Sequence, residues 1–183
     1  MNWNETAIII IDLQEGITFN NVYPNDSQTI IEKCNTLIEE TKRRGGFIVY
    51  IHSDFIDEYD QLSLDKKIRS LYNSPNNFAD FDRRLIKEQG AYTITKRGIS
   101  AFFGTDLDIE LRRHKIKNIV LSGISTHMGV DTSARDAYQL GYNIFFLEDC
   151  MSAPKLEQHE FVVRELFPLM GQVLTLNQIL CID

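Results

Sequence analysis

The sequence of 183 residues lacks the features that define several large classes of protein. Its only cysteines are Cys34, Cys150 and Cys181, which are far apart and odd in number, so a disulfide framework is not expected. Because no two of them have Cys-x-x-Cys spacing, we expect no structural zinc site. No apolar run approaches the roughly 20 residues of a membrane span. Repeats, low-complexity tracts and linkers are also missing from the sequence.

Positive charge is scarce as well. The chain has 19 Lys and Arg against 26 Asp and Glu, a net charge of −7. Binding to nucleic acid and to anionic membranes depends on basic side chains, so neither partner is expected. Residues 1–6 contain no basic segment or apolar signal core, which predicts, with the unpaired cysteines, a cytoplasmic protein. An ordinary composition, 43% hydrophobic and 25% charged, predicts one globular domain over residues 1–183.

Predicted strands alternate with predicted helices along the chain. Residues 7–11 form an unbroken apolar run, typical of a strand buried on both faces. Ser27 is the expected N-cap of a helix with an apolar stripe, which ends at Gly45 and Gly46. Further strands are predicted at residues 47–51, 92–95, 117–122, 143–147 and 172–175, with apolar helical stripes between the later ones. This alternation predicts an α/β fold with a mostly parallel sheet.

Two features fall outside these strands and stripes. Residues 53–90 are predicted to be a long loop with a short helix, and we expect this loop to set specificity. His114 and His159 are expected on helix surfaces. In open parallel sheets, ligands bind beyond the carboxyl ends of the strands, so we expect a functional site there.

Three segments follow predicted strands and together suggest a site. Asp12 and Gln14 follow the first strand, Lys96 follows the third, and residues 123–129 follow the fourth and open a helix. N–H groups at a helix start can hold an anion or an oxyanion. Each segment alone is also what an ordinary turn or solvated charge provides. Because all three should meet at one edge of the sheet, they predict a site that binds an anion and relays a proton.

The same segments resemble the three signature blocks of the isochorismatase-like hydrolases. The blocks are Asp12-Leu13-Gln14, residues 95–102 (Thr-Lys-Arg-Gly-Ile-Ser-Ala-Phe) and residues 123–137, and their order and spacing match over nearly the whole chain. The resemblance implies a three-layer α/β/α sandwich around a six-stranded, mainly parallel sheet. It also implies a homo-oligomer of two or more chains and action on a small molecule without a cofactor.

The resemblance assigns catalytic roles to three positions. Asp12 matches the family's acid–base carboxylate, Lys96 matches its catalytic lysine, and Gly129 occupies the place of its cysteine nucleophile. The peptide bond between Ile124 and Ser125 matches a cis bond of the family, and the N–H groups of Ser125 and Gly129 match its oxyanion hole. A glycine cannot form a thioester, so the amidase mechanism of most relatives is not expected.

Isochorismatases also resemble this sequence in having glycine at the nucleophile position. They cleave a vinyl ether, a reaction in which the aspartate acts as a general acid and no nucleophile is needed. They carry a tyrosine where this sequence has Ser125, and the spacing of Thr126 and Gly129 resembles a bacterial subgroup without the cysteine. The resemblance therefore implies the type of chemistry and leaves the substrate open.

Residues around the three catalytic positions are expected to bind the substrate. These are Gln14, Arg97, Phe102, Ser125, Thr126 and His127. Arg97 suits a carboxylate, which its guanidinium can hold by two hydrogen bonds. His52 and Asp54 reverse the order of the metal motif of nicotinamidases, so we interpret His52 as strand-end packing or pocket lining and expect no metal.

Three functions remain open from the sequence. The first is a hydrolase that needs no cysteine, with Asp12 as the acid and Lys96 holding charge beside it. The second is a catalytically impaired relative that acts as a binding or regulatory protein for a small molecule. The third, a thiol amidase that uses Cys150, is disfavoured because free cysteines are usually small buried hydrophobic residues. The intact Asp12 and Lys96 favour the enzyme.

Overall fold

A single parallel sheet forms the centre of the computed structural model, which describes residues 1–55 and 77–182. Its strands are β1 Thr6–Ile11, β2 Phe47–Ser53, β3 Tyr92–Lys96, β4 Asn118–Ile124, β5 Asn143–Ser152 and β6 Gln172–Leu174. The six strands lie in the order β3-β2-β1-β4-β5-β6, and every neighbouring pair is parallel. The prediction of a six-stranded, parallel sheet is confirmed.

Helices cover both faces of the sheet. They are α1 Glu15–Thr18, α2 Ser27–Arg43, α3 Leu107–Arg113, α4 Asp131–Gln139, α5 Leu156–Phe161 and α6 Leu176–Leu180. Short 3-10 helices occur at Trp3–Glu5 and Phe167–Leu169, and π-helical turns at Thr126–Val130 and Val162–Leu166. Buried residues of α2 and α6 share one core cluster, and those of α3, α4 and the second π-helical turn share the other. This arrangement is the expected three-layer α/β/α sandwich.

The unbroken apolar run of β1 is explained by its central place in the sheet. Ile8 and Ile10 belong to the core under α2, whereas Ile9 and Ile11 belong to the opposite core, and all four are essentially fully buried. A strand with solvent on neither face needs apolar residues at every position. The apolar stripe of α2 closes the first core, as its spacing predicts.

Several element ends differ from the sequence predictions. Asp26, not Ser27, is the N-cap of α2, and its Oδ1 accepts a hydrogen bond of 2.8 Å from the Thr29 N–H. β5 continues to Ser152 because it pairs with β4 again after a register shift, with Met151 opposite Gly123. Most of the loop predicted at 53–90 lies outside the described residues. Among the described residues, no helix has the length and apolar character needed to cross a bilayer.

The topology determines where a site can form. The strand order reverses between β1 and β4, and in open α/β sheets ligands bind at the carboxyl ends of the strands beside such a reversal. Asp12 directly follows β1 and Ser125 directly follows β4, while Ser53 and Lys96 are the last residues of β2 and β3. Four neighbouring strands thus end in polar residues at one edge.

Candidate active site

Asp12 and Lys96 form an ion pair within this edge. Lys96 Nζ lies 2.8 Å from Asp12 Oδ2, and the two side chains are only 3% and 7% exposed. Lys96 also donates a hydrogen bond of 2.8 Å to the carbonyl of Ile99. Removing two charges from water costs several kcal/mol for each ion. The short distance and the added hydrogen bond offset part of that cost.

The backbone and a neighbouring serine hold Asp12 in place. Its φ of 55° lies in the left-handed region, which is uncommon for a residue with a side chain. The Asp12 N–H donates to the Ile51 carbonyl at 2.9 Å, which ties this turn to β2. Ser53 Oγ donates to Asp12 Oδ1 at 3.2 Å, so both carboxylate oxygens have partners. Ser53 was not among the predicted site residues, although its place at a strand end could have indicated it.

Burial governs the acidity of Asp12. Desolvation raises its pKa above the ordinary value, and the opposing attraction of Lys96 does not cancel this effect. A carboxyl group with a raised pKa keeps a proton more readily than a surface carboxylate does. It is therefore suited to donate a proton to a substrate.

Gly129 lies next to the Asp12–Lys96 pair. A Cβ atom built at Gly129 would lie 3.1 Å from Asp12 Oδ2 and 3.6 Å from Lys96 Nζ. A side chain at this position would thus project against both charged groups, where a nucleophile would need to be. In this chain residue 129 has no side chain, so it places no nucleophile beside the carboxylate.

Ser133 joins the Gly129 turn to the segment after Lys96. Its hydroxyl donates to the Gly129 carbonyl at 2.6 Å and accepts from the Ala101 N–H at 2.8 Å. Ser133 is fully buried on α4. One side chain therefore fixes the turn at the end of β4 against the loop that follows β3.

The residues expected to bind substrate are placed in different ways. Gln14 is fully buried, and its amide bonds the backbone of Ser53 at 2.8 and 3.0 Å and the Phe78 carbonyl at 2.8 Å. Phe102 packs in the core near Tyr142, with ring centroids 6.1 Å apart. These contacts favour a supporting role for both side chains, and their contact with a substrate stays a prediction.

The remaining candidates lie on or near the β4 turn and the Lys96 loop. Arg97 is exposed, and Ser125 and His127 are half-buried. The Ile124–Ser125 peptide bond is cis, as the resemblance implies. His127 Nδ1 is buried and has no hydrogen-bond partner among the described residues, and burial lowers the pKa of this imidazole. Ser125 and His127 both precede Gly129 in the same turn of the chain, and their contact with a substrate stays a prediction.

Thr126 has a buried partner, His159, whose predicted position was wrong. His159 was expected on a helix surface, yet it is 4% exposed, and its Nδ1 lies 2.9 Å from Thr126 Oγ1. His159 precedes Val162 and Val163 at helical spacing, so it shares their buried face. That spacing could have predicted the burial of His159 from the sequence. His114 is exposed as expected and stacks on Phe47.

Neither Cys150 nor His52 has the surroundings of a reactive group. Cys150 is fully buried, and contact with the Cys34 thiol together with burial raises the pKa of its thiol well above the ordinary value. A thiol held in its protonated form is a poor nucleophile. The two ring nitrogens of His52 are bonded to the Ala79 carbonyl and to Thr95 Oγ1. Within residues 1–55 and 77–182, no three side chains of metal-binding type converge.

The fold and this site define a class of hydrolases. A family model described as the Isochorismatase domain matches residues 6–178, so the chain belongs to the isochorismatase family, whose members are generally hydrolases of small molecules.

Relatives of similar length support this membership. An uncharacterized isochorismatase family protein of Bacillus subtilis (strain 168), YwoC, is 38% identical, with 98% of this chain and 95% of the relative covered. Another, YecD of Escherichia coli O157:H7, is 31% identical, with 98% and 97% covered. A solved isochorismatase family protein of Burkholderia thailandensis superposes with a TM-score of 0.86 at 28% identity, covering 95% of this chain and 93% of that one.

Proposed function

We propose that this protein hydrolyses a small anionic enol ether without a cysteine nucleophile, with Asp12 as the acid. The observation that carries the proposal is the buried Asp12–Lys96 pair, which lies against a glycine rather than a thiol. The pair offers an acid and a cation, and residue 129 offers no group that could form a covalent intermediate. Protonation followed by attack of water is the hydrolytic chemistry that such a set of groups can support.

The proposed reaction needs only these groups and water. Asp12 donates its proton to the terminal carbon of the enol ether, which leaves an oxocarbenium ion and a carboxylate. Lys96 stabilises the new carboxylate charge at 2.8 Å. Water adds to the cationic carbon and returns a proton to Asp12. The hemiketal then breaks its bond to the ether oxygen, which takes the hydroxyl proton, and a ketone and an alcohol are released.

The first test measures pyruvate release from isochorismate through a lactate dehydrogenase couple. Asp12→Asn should lower the rate by about 100-fold or more, the usual contribution of a positioned acid. Asp106→Asn makes the same substitution at an exposed carboxylate that accepts a hydrogen bond from Tyr92, and it should leave the rate unchanged. Equal rates for wild type and Asp12→Asn would refute the role of Asp12. If no pyruvate forms, the same pair of variants is compared on other anionic enol ethers.

The missing nucleophile also favours a second candidate, a binding or regulatory protein for a small anion. In that case a ligand would raise the melting temperature of the protein without being consumed, since a ligand that binds only the folded state stabilises it. Product that forms at a rate dependent on Asp12 would exclude this candidate.

A further inference from the structure

The turn that carries Gly129 is tied to α5 by one buried hydrogen bond. Thr126 Oγ1 and His159 Nδ1 are 2.9 Å apart, and both residues are buried. Thr126 begins the π-helical turn Thr126–Val130, three residues before Gly129 and directly after Ser125. The bond therefore joins the turn at the end of β4 to a helix that follows β5.

The hydrogen bonds within this turn are irregular. The Ser125 carbonyl accepts from both Met128 N–H at 3.1 Å and Val130 N–H at 3.2 Å, an irregular pattern in which one acceptor serves two donors. Single π-helical turns are rare and lack the regular bonding of an α-helix. A change in their shape would move Gly129 relative to Asp12, against which its Cβ position lies at 3.1 Å.

We propose that His159 is a positioning residue, which through Thr126 holds the turn so that Gly129 stays against the Asp12 carboxylate. The inference rests on the proposed function, in which Asp12, close to Gly129, donates the proton. In this role His159 acts through its hydrogen bond to Thr126. Burying an imidazole without a hydrogen-bond partner would cost free energy, and the Thr126 hydroxyl supplies that partner for His159.

Burial favours one protonation state of His159. It lowers the pKa of the imidazole, which favours the neutral ring at neutral pH. A neutral ring has one donor and one acceptor nitrogen, and a hydroxyl can bond to either. The tie to Thr126 thus forms between two uncharged groups.

The test pairs disruptive variants with conservative ones. His159→Leu and Thr126→Val remove the hydrogen bond, whereas His159→Asn places an amide near Nδ1 and Thr126→Ser keeps the hydroxyl. Hydrogen exchange of the amides of residues 125–130 and the kcat and KM of isochorismate hydrolysis are measured for each. We expect the disruptive variants to exchange at least about tenfold faster and to lose about tenfold in kcat with little change in KM, because a small displacement at a reacting centre is costly.

Rescue separates positioning from simple filling of space. His159→Asn and Thr126→Ser should recover most of the lost protection and of kcat, and the double variant His159→Leu with Thr126→Val should be no worse than either single one. Wild-type exchange in folded His159→Leu, or no rescue by His159→Asn, would overturn the inference. If His159→Leu does not fold, Thr126→Val decides. If wild type does not hydrolyse isochorismate, exchange still decides the role of His159, and only the proposed reaction loses support.

Discussion

Replacing Lys96 with methionine tests the electrostatics of the site directly. Both side chains of the Asp12–Lys96 pair are more than nine-tenths buried, and methionine keeps much of the aliphatic volume of lysine. Removing one partner of a buried pair costs about 3–5 kcal/mol, because the other charge stays buried and unpaired. With a urea slope of about 2–3 kcal/mol per M, the unfolding midpoint should fall by about 1–2.5 M at pH 7.

The loss in stability should depend on pH. Burial raises the pKa of Asp12 in the folded protein, and without Lys96 the rise should be larger. A raised folded-state pKa favours folding at low pH, where Asp12 is protonated in both states and carries no unpaired charge. The loss of unfolding free energy in the variant should therefore be smallest below a pH of about 4, the ordinary pKa of aspartate. It should grow with pH until the pH passes the raised pKa of Asp12 in the folded variant.

An exposed pair supplies the matched control. Lys117 Nζ lies 2.7 Å from Glu5 Oε1, but the side chains are 65% and 33% exposed. Lys117→Met should cost no more than about 1 kcal/mol, as for other surface pairs. Urea unfolding of both variants at pH 4 and pH 7 checks the argument. Equal losses for Lys96→Met and Lys117→Met at pH 7, or a loss for Lys96→Met that does not change with pH, would refute it.

Three further substitutions test other parts of the structure. Gly129→Ala should change the free energy of unfolding by no more than about 2 kcal/mol, since overpacking opposes the usual gain from Gly→Ala. The added methyl group should nevertheless abolish enol-ether hydrolysis, because it lies against Asp12. Urea unfolding measures the first effect and pyruvate release the second. Gly123→Ala should prevent folding, because its Cβ would lie 2.0 Å from the Ile11 carbonyl oxygen at a φ of +121°, and soluble yield with circular dichroism would show it. Thr41→Val should raise the free energy of unfolding by about 1 kcal/mol in urea, since the buried Thr41 hydroxyl has no partner among the described residues.

Much of the fold could be predicted because its strongest signals are local. The unbroken run in β1 and the apolar stripe of α2 reflect burial on two faces and on one face, which sequence periodicity reports directly. Helix ends were less predictable, since Asp26 and Ser27 are both good N-caps and only the backbone distinguishes them. The short helix α6, capped by Thr175, was missed because its five residues are too few to show a period.

The site was predictable in its centre and less so in its surroundings. Asp12 directly follows β1, Lys96 ends β3 and Gly129 lies in the turn after β4, and the rule for parallel sheets brings such residues together. The side chains that hold these residues in place are Ser133, Ser53 and His159. They make hydrogen bonds to residues 32 to 41 positions away in the chain. No local pattern reports such a partner, so the contacts of these side chains emerge only from the packed structure.

The buried ion pair is itself an argument about function. A buried pair is weak evidence for stability, because apolar residues of similar volume in both places are often as stable or more so. Asp12 also occupies a left-handed backbone conformation, which adds a further local cost. Neither cost is repaid by a thiol that the pair could activate, since Gly129 offers no side chain there. A costly arrangement beside a glycine at the nucleophile position supports the proposed function, in which the carboxyl group and its cation themselves act on the substrate.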